Sequence, residues 1–403
     1  MKRTNLALSI TSSLLLLTAC SSGGSTPGAT GTLQIEDYYT ASRNGPAYTA
    51  AYTQCATKVG VKFTRQVVPE SGLMAKVLQQ ASSKTLPDVL MVDNPNTQTL
   101  AAGGALASLD NMGIQTAPYY PAINKAGTYK GHLYAAEPVP NTISLFYNTK
   151  LLEQAGITAP PTTWSELAAD AKKLTNKGTY GLAFSAIGTP EGAWQFLPFM
   201  WSNGGDETNL NTPQVAESLQ FLRDLITAGS ASTSTVTWDQ SDVADQFTAG
   251  KAAMMVNGPW NIPTLAKFPA IDWKIAPMPT PKAGGTPVYP LGGEAFAVAN
   301  TGKTATEKKA GEFLKCLVDD NAVVMALAKA TNQIPGKIAL AEQFKKAEPK
   351  EAILVDALPN ARARTGKLGD KWTTVVTNIF TAEQLALTGK ATPAQALKQA
   401  TNR

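Results

Sequence analysis

The sequence predicts an α/β fold with enough strands and helices for two sheets. Short apolar segments alternate with amphipathic helical segments from residue 32 to the C-terminal region. A chain of 403 residues of which 43% are hydrophobic can form a large core, and more than one domain is expected at this length. The continuous apolar run VLMV at residues 89–92 is typical of a strand buried on both faces of a parallel sheet.

The first elements predict a strand–helix–strand unit. A strand pattern at residues 32–39 is followed by a helical pattern at 46–58 and then by the alternating segment VKFTRQVVP at 61–69. This order implies parallel strands joined by a right-handed crossover. Apolar residues at helical spacing over 73–78, followed by the strand segment LPDVLMVD, repeat the theme.

The alternation continues through the rest of the chain. A helix begins at Thr163, where Glu166 completes a capping-box pattern, and is expected to end near Gly178. Helices are also expected around residues 215–228 and 372–387. The later strands are expected at residues 181–186, 252–256, 273–279 and 295–300.

The N-terminal residues have the pattern of an export signal. Lys2 and Arg3 precede a short apolar run that ends in LTAC, which resembles the box of bacterial lipoproteins and predicts lipid attachment at Cys20. Residues 1–19 are then the signal peptide, and residues 20–31, which are rich in Gly and Ser, are a flexible tether. An ordinary cleaved signal with an incidental cysteine is the alternative. The predicted location is the cell envelope, with Cys20 anchoring the protein to the cell membrane.

The other two cysteines and the charge are less specific. Cys55 and Cys316 lie in helical patterns, where one disulfide and two buried thiols are both compatible with an exported protein. The formal net charge is only +5, and no block of lysine or arginine is present, so nucleic acid is not expected as a partner.

Common catalytic patterns are absent from the sequence. The only histidine, His132, lies in a segment that is typical of a turn entering a strand, so no catalytic role is expected for it. Serine-hydrolase, zinc-peptidase and phosphate-loop motifs do not occur, so no cofactor or metal is expected. Asp239, Asp242 and Asp245 share one helix face, which is typical of a solvated surface.

Several segments, in order, resemble the extracellular solute-binding proteins of ABC importers, especially the carbohydrate-binding group. The strongest is GHLYAAEPVPNTISLFYNTKLLEQAGITAPPTTWSEL at residues 131–167, which resembles the family's crossover into its second lobe. The other matching segments are LPDVLMVDN (86–94), FMWSNGGDE (199–207), FTAGKAAMMVNGPW (247–260), GGEAFAVAN (292–300) and NQIPG (332–336).

The resemblance implies two α/β lobes, each a mostly parallel sheet flanked by helices, with a solute held between them. Lobe 1 would hold residues 32–141 and 280–334, and lobe 2 residues 142–279 and 335–403. Ligands of open α/β sheets bind beyond the carboxyl ends of the strands, and a hinge would let the lobes close. The implied protein is a monomeric receptor without enzymatic activity. It would deliver a sugar to membrane permease subunits.

A sugar has apolar faces and a rim of hydroxyl groups, so its site needs aromatic platforms beside planar polar groups. Trp260 matches the family's Gly-Pro-Trp and is the leading platform, with a core tryptophan as the alternative. Asp93 could cap a loop instead of contacting ligand, and Arg362 and Arg364 could belong to an exposed basic loop. The ligand-binding candidates are Trp260, Asp93, Asn141, Trp194, Glu191, Tyr39, Trp238, Asp206, Asn257, Gly292, Gly293, Glu294 and Arg362.

Two other classes of function stay open. A lipoprotein glycosidase would need a pair of carboxylates, for which the candidates are Asp93, Glu191, Asp206 and Asp239. A receptor for a glycerol phosphate ester, a polyamine or iron would share the fold. The adjacent tyrosines Tyr38 and Tyr39 keep the iron hypothesis open.

Overall fold

The computed structural model describes residues 31–41 and 44–402. The predicted signal peptide, Cys20 and the tether up to residue 30 lie outside these residues. Across the part of the chain that is described, the helices are too short or too polar to cross a membrane.

The strands form two main sheets. The larger has the order β2-β1-β3-β12-β6 and the smaller the order β10-β7-β9-β8, while β11 pairs with β13 and β4 with β5. The strands are β1 (Thr32–Asp37), β2 (Lys62–Val67), β3 (Val89–Asp93), β4 (Thr128–Tyr129), β5 (His132–Leu133), β6 (Ala135–Ala136), β7 (Ser144–Asn148), β8 (Tyr180–Ala183), β9 (Ala252–Asn257), β10 (Trp273–Ala276), β11 (Tyr289–Pro290), β12 (Glu294–Val298) and β13 (Ala361–Arg362).

The α/β class is confirmed, but the two sheets are mixed rather than mostly parallel. Strand β1 runs parallel to β2 and β3, as the strand–helix–strand pattern predicted. Strand β12 runs antiparallel to β3 and β6, and in the smaller sheet only β8 and β9 are parallel. Apolar runs indicate burial but not direction. The direction of β12 depends on how the chain re-enters the first sheet after forming the second.

The helices follow the predicted periodicity. Thr163 and Glu166 form the reciprocal capping box, and that helix ends at Leu174 rather than near Gly178 because Thr175 is extended. The α-helices are α1 (Gly45–Val59), α2 (Glu70–Ser83), α3 (Asn96–Ala102), α4 (Pro121–Gly127), α5 (Thr149–Gln154), α6 (Trp164–Leu174), α7 (Pro190–Ser202), α8 (Pro213–Thr227), α9 (Gln240–Thr248), α10 (Ile262–Leu265), α11 (Thr304–Asp319), α12 (Asn321–Thr331), α13 (Ile338–Ala347), α14 (Ala352–Ala357), α15 (Trp372–Leu387) and α16 (Pro393–Thr401).

Two clusters of buried apolar side chains accompany the two sheets. The first cluster contains the apolar residues of β1, β3 and β12, and the second contains those of α7, α8, α15 and α16. Helices α13 and α14 lie in the first cluster, which also includes Phe146 and Ile275 of the smaller sheet. The proposed lobe boundaries therefore stay a prediction.

A disulfide joins Cys55 of α1 to Cys316 of α11, with their Cα atoms 5.6 Å apart. The two cysteines are separated by 261 residues in sequence. The helical patterns left open a disulfide or two separate buried thiols, and the structure has the disulfide. The bond fastens together two helices that contact each other beside the first sheet.

Candidate functional site

Strand β9 and the turn that follows it place Trp260. All six residues of β9 are buried, and a short 3₁₀ turn, Pro259–Asn261, follows at Gly258. A Cβ atom on Gly258 would lie 2.0 Å from Cζ3 of Trp260, so only glycine allows the indole to fold back over the turn. Trp260 is partly exposed, and its ring stacks on Trp194 with centroids 5.6 Å apart and an interplanar angle of 28°.

Asn257 does not have the open position that a ligand contact needs. It is fully buried, and its Nδ2 donates to the carbonyl of Gln240 at 2.9 Å. Its Oδ1 accepts from Nδ2 of Asn261 at 2.6 Å and from the backbone N–H of Gly258 at 3.0 Å. The ligand prediction for Asn257 is therefore replaced by a structural role. The side chain fixes the turn that carries Trp260.

Trp194 is the more deeply buried ring of the stacked pair. It lies on α7, is only 7% exposed, and belongs to the second apolar cluster. The guanidinium of Arg364 lies over its ring, with Cζ 5.4 Å from the centroid. Its indole nitrogen Nε1 has no hydrogen-bond partner among the residues that the structure describes. Because Trp260 and Arg364 cover the ring of Trp194, Trp260 has the more accessible aromatic surface.

Arg364 joins this aromatic pair to the end of the first sheet. Its Nη1 donates to Oδ2 of Asp93 at 3.1 Å, and its Nη2 donates to Oδ1 of Asp93 and to Oδ1 of Asn94, the latter at 3.1 Å. The Asp93 side chain is 39% exposed, whereas that of Arg364 is 7% exposed. Asp93 thus has the predicted position at the end of β3, and Arg364, considered earlier as part of an exposed loop, is buried beside it.

Arg362 and Asp206 pair with each other instead of presenting free charges to a solute. Nη2 of Arg362 donates to Oδ2 of Asp206 at 2.8 Å and to Oε2 of Glu207 at 2.7 Å, and its guanidinium lies 4.8 Å from the ring centroid of Trp201. Burial alone would raise the pKa of Asp206, but hydrogen bonds from Thr208 and Arg362 outweigh it and hold the pKa well below its ordinary value. The two candidates therefore hold the segment around β13 against residues 201–207.

The candidates Glu294 and Tyr39 lie in contact with each other and with Tyr38, where β12 begins in the larger sheet. The hydroxyls of Tyr38 and Tyr39 both donate to the Glu294 carboxylate, that of Tyr39 at 2.5 Å. Burial raises the pKa of Glu294, and these two hydrogen bonds oppose the rise. Glu137 is buried nearby, and burial together with the charge of Glu294 raises its pKa well above the ordinary value. Sequence reasoning missed Glu137, since nothing in its local pattern marks it.

Gly292 and Gly293 are required by the packing of neighbouring side chains. A Cβ atom on Gly292 would lie 2.3 Å from Oδ1 of Asn141 and 2.4 Å from Cζ2 of Trp194. A Cβ atom on Gly293, whose φ is +122°, would lie 1.8 Å from Oε1 of Glu137. Close approach was predicted for a ligand, but the close partners are side chains of this chain. The turn thereby brings Asn141, which pairs with Gly292 through two backbone hydrogen bonds, next to Trp194.

Glu191 and Trp238 lie around the start of α9. Glu191, one turn before Trp194 on α7, accepts a hydrogen bond from the backbone N–H of Gln240 at 2.5 Å. Trp238 is partly buried, and its carbonyl accepts from the hydroxyl of Ser185 at 2.7 Å. Their predicted contact with ligand stays a prediction.

Two other acids considered in the sequence have local partners. Asp239, the candidate hydrolytic carboxylate, is the N-cap of α9 and forms a capping box with Asp242. Two of the three acids predicted to share a solvated helix face, Asp239 and Asp242, therefore cap the helix.

The exposed imidazole of His132 contacts Asp110 at 2.6 Å.

Comparisons with known proteins identify the family of the chain. A family model described as bacterial extracellular solute-binding protein matches residues 47–352. The chain therefore belongs to the bacterial extracellular solute-binding protein family, and the resemblance drawn from its motifs is confirmed at that level. Such proteins are receptors and not enzymes, which removes the glycosidase hypothesis.

Individual relatives are similar over most of their length. The chain is 28% identical to the diacetylchitobiose binding protein DasA of Streptomyces coelicolor over 86% of this chain and 82% of that protein. A structure of the cyclic alpha-maltosyl-1,6-maltose binding protein of Arthrobacter globiformis matches with a TM-score of 0.78 and 26% identity, over 92% of this chain and 96% of the other. A maltose-bound structure from T. maritima, 22% identical, has a TM-score of 0.81 over 92% of this chain and 98% of that one, and it supports the fold alone.

Proposed function

We propose that this protein is the lipid-anchored receptor of an ABC importer, and that it captures a sugar or oligosaccharide between two lobes for delivery to a membrane permease. The lobes are residues 32–141 with 280–334, and residues 142–279 with 335–403. The membership of the solute-binding family supports the receptor role. The anchor at Cys20 rests on the LTAC pattern alone.

The observation that carries the carbohydrate proposal is the stack of Trp260 on Trp194 beside the Asp93–Arg364 pair. An aromatic face fits the apolar C–H surface of a sugar ring, and a carboxylate held by a guanidinium presents planar acceptors to its hydroxyls. Asn141 Oδ1, which is enclosed and has no partner within residues 31–41 and 44–402, adds an acceptor at the same turn. Several similar proteins, such as the diacetylchitobiose binding protein, are also named for carbohydrates.

The other solute classes are less compatible with these contacts. A polyamine needs free carboxylates, but the exposed carboxylate of Asp93 already holds Arg364. Iron would use the hydroxyls of Tyr38 and Tyr39, but both donate to Glu294. Over residues 31–41 and 44–402, no three His, Cys, Asp or Glu side chains are grouped so as to hold a metal ion.

Calorimetry with the mature soluble chain tests the solute class. Maltodextrins, chitin oligosaccharides and simple hexoses form one set of probes, and spermidine, glycerol phosphate and ferric citrate form the other. We expect saturable binding to a member of the first set, with the oligosaccharide recovered intact afterwards. Binding confined to the second set would refute the carbohydrate proposal.

The anchor has a separate test. Expression of the full chain in a bacterium should give a membrane-bound product whose N-terminal peptide carries the mass of a lipid-modified cysteine. A Cys20→Ala variant should lose that mass and leave the membrane fraction. Finding the unmodified cysteine in a soluble wild-type product would refute anchoring without affecting the sugar proposal.

A further inference from the structure

Arg364 occupies an enclosure whose walls have the chemistry of a cation site. The Asp93 carboxylate accepts from both terminal nitrogens of the guanidinium, and the amide oxygen of Asn94 accepts from one of them at 3.1 Å. The indole of Trp194 forms a further wall, 5.4 Å from Cζ. A carboxylate, an amide oxygen and an aromatic face are the groups that bind guanidinium and ammonium compounds. The side chain of Arg364 is thus placed where a cationic solute would bind.

The enclosure lies at the candidate cleft and faces solvent on one side. The Asp93 side chain is 39% exposed, and Trp194 is in contact with the partly exposed Trp260. A solute that reaches Trp260 therefore meets Asp93 with its charge already balanced by Arg364. An acid and an aromatic ring without that arginine would attract cations to the same place.

A second acid lies beside this group. Burial and the charge of Glu294 raise the pKa of Glu137 well above its ordinary value, against the opposing effects of the hydrogen bond from Asn94 and the charge of Arg364, so Glu137 is held as the neutral acid. Asn94 connects the two, since its Nδ2 donates to Oε2 of Glu137 at 3.4 Å while its Oδ1 accepts from Arg364. Without Arg364, the Asp93 carboxylate and the Asn94 amide oxygen would lose this partner, and an added cation would take its place.

We propose that Arg364 is a specificity-determining residue that fills an internal cation site and so makes the cleft reject cationic solutes in favour of uncharged ones. Only the identity of the accepted solute rests on the proposed function. The exclusion of cations follows from Asp93, Asn94 and Trp194 themselves. Arg362, two residues earlier, has no such role because its acids lie in a different cluster.

The test removes the guanidinium of Arg364 by mutation and supplies a soluble guanidinium compound in its place. Arg364→Ala and the bulkier Arg364→Gln are prepared in the mature chain, and methylguanidinium and agmatine are titrated into them by calorimetry against equal sodium chloride. We expect both variants to bind these cations at least about tenfold more tightly than wild type, as for a vacated carboxylate–aromatic site. Thermal unfolding should show a matching rise in Tm with added methylguanidinium for the variants alone.

The matched control removes the carboxylate that receives the cation. Asp93→Asn combined with Arg364→Ala should lose the acquired cation binding, while Arg362→Ala should keep the wild-type preference among solutes. Folded Arg364 variants without cation binding would overturn the proposal, as would wild-type protein that binds methylguanidinium equally well. These measurements need no sugar, so a failure of the carbohydrate proposal would be seen separately in the oligosaccharide titrations.

Discussion

The two halves of the molecule bring different chemistry to the proposed cleft. The half with the five-stranded sheet supplies acids, with Asp93 at the end of β3 and Glu294 at the start of β12. The half with the four-stranded sheet supplies the aromatic pair of Trp194 and Trp260. A sugar has a polar rim and an apolar face, so each half matches one part of such a solute.

Buried carboxyl groups in the two halves also have different partners. In the first half, Glu294 receives two tyrosine hydroxyls and the buried carboxylate of Asp37 pairs with Arg65. In the second half, Glu383 of α15 is fully buried, and neither of its oxygens has a hydrogen-bond partner in the described part of the chain. Glu383 therefore lacks the partners that Glu294 and Asp37 have.

The largest expected effect is the loss of stability when a side chain is added beside Glu137 in the first half. Gly293→Ala should destabilise the protein by about 4 kcal/mol, because the position has a left-handed φ and a Cβ would overlap the Glu137 carboxylate. Urea unfolding measures this change. Gly72→Ala is the control, since nothing lies within 4 Å of its Cβ position in α2, and its effect should stay within about 1 kcal/mol. Equal effects of the two substitutions would contradict the packing described for the turn.

Removal of the disulfide should weaken the first half more than the second. The double variant Cys55→Ala and Cys316→Ala is expected to lose about 3 kcal/mol of stability, because the bond closes a long loop in the unfolded chain. Hydrogen exchange should quicken in α1 and α11 and change little in α15 and α16. Uniform quickening across all four helices would show that the halves do not differ in this respect.

Loss of the exposed aromatic surface should reduce binding rather than stability. Trp260→Ala is expected to weaken sugar binding by about 2 kcal/mol, roughly 30-fold in Kd, because it removes the stacking platform. The control is Trp164→Ala, since Trp164 is buried and stacks on Phe221 with centroids 4.6 Å apart. That variant should lose stability and keep its affinity. Unchanged affinity in Trp260→Ala would assign Trp260 to the core.

The smallest expected effect concerns the unpartnered acid of the second half. Burial raises the pKa of Glu383 well above its ordinary value, so the folded state binds a proton that the unfolded state releases. The stability that this proton confers is complete below the unfolded pKa and is lost as the pH rises through the folded pKa. Glu383→Gln should therefore gain stability relative to wild type as the pH rises from the ordinary pKa of a glutamate towards the raised pKa of Glu383.

Thermal unfolding at several pH values measures this difference. Glu342→Gln, at an exposed position on α13, is the matched control and should follow the wild-type pH profile. A Glu383→Gln profile parallel to that of wild type would mean that the acid is not held neutral in the folded protein.

Local patterns predicted much of the secondary structure and one feature of the site. The capping box at Thr163 and Glu166 and the helix Trp372–Leu387 were predicted because caps and apolar periodicity act over a few residues. Trp260 was singled out because it follows a buried strand across a chain-breaking turn, and it is partly exposed there. The direction of β12 could not be predicted, since it depends on a strand partner about 200 residues earlier in the chain.

The sequence by itself determined the α/β class, the family resemblance and the strand–turn segment that carries Trp260. Only the tertiary structure decided that Cys55 bonds to Cys316, that Asn257 holds a turn, and that Arg364 instead of Arg362 lies at the aromatic pair. These outcomes depend on groups that are far apart in sequence, such as Arg364 and Asp93. Two arginines in PNARAR have the same local chemistry, and the acids that the fold brings to each one decide what it does.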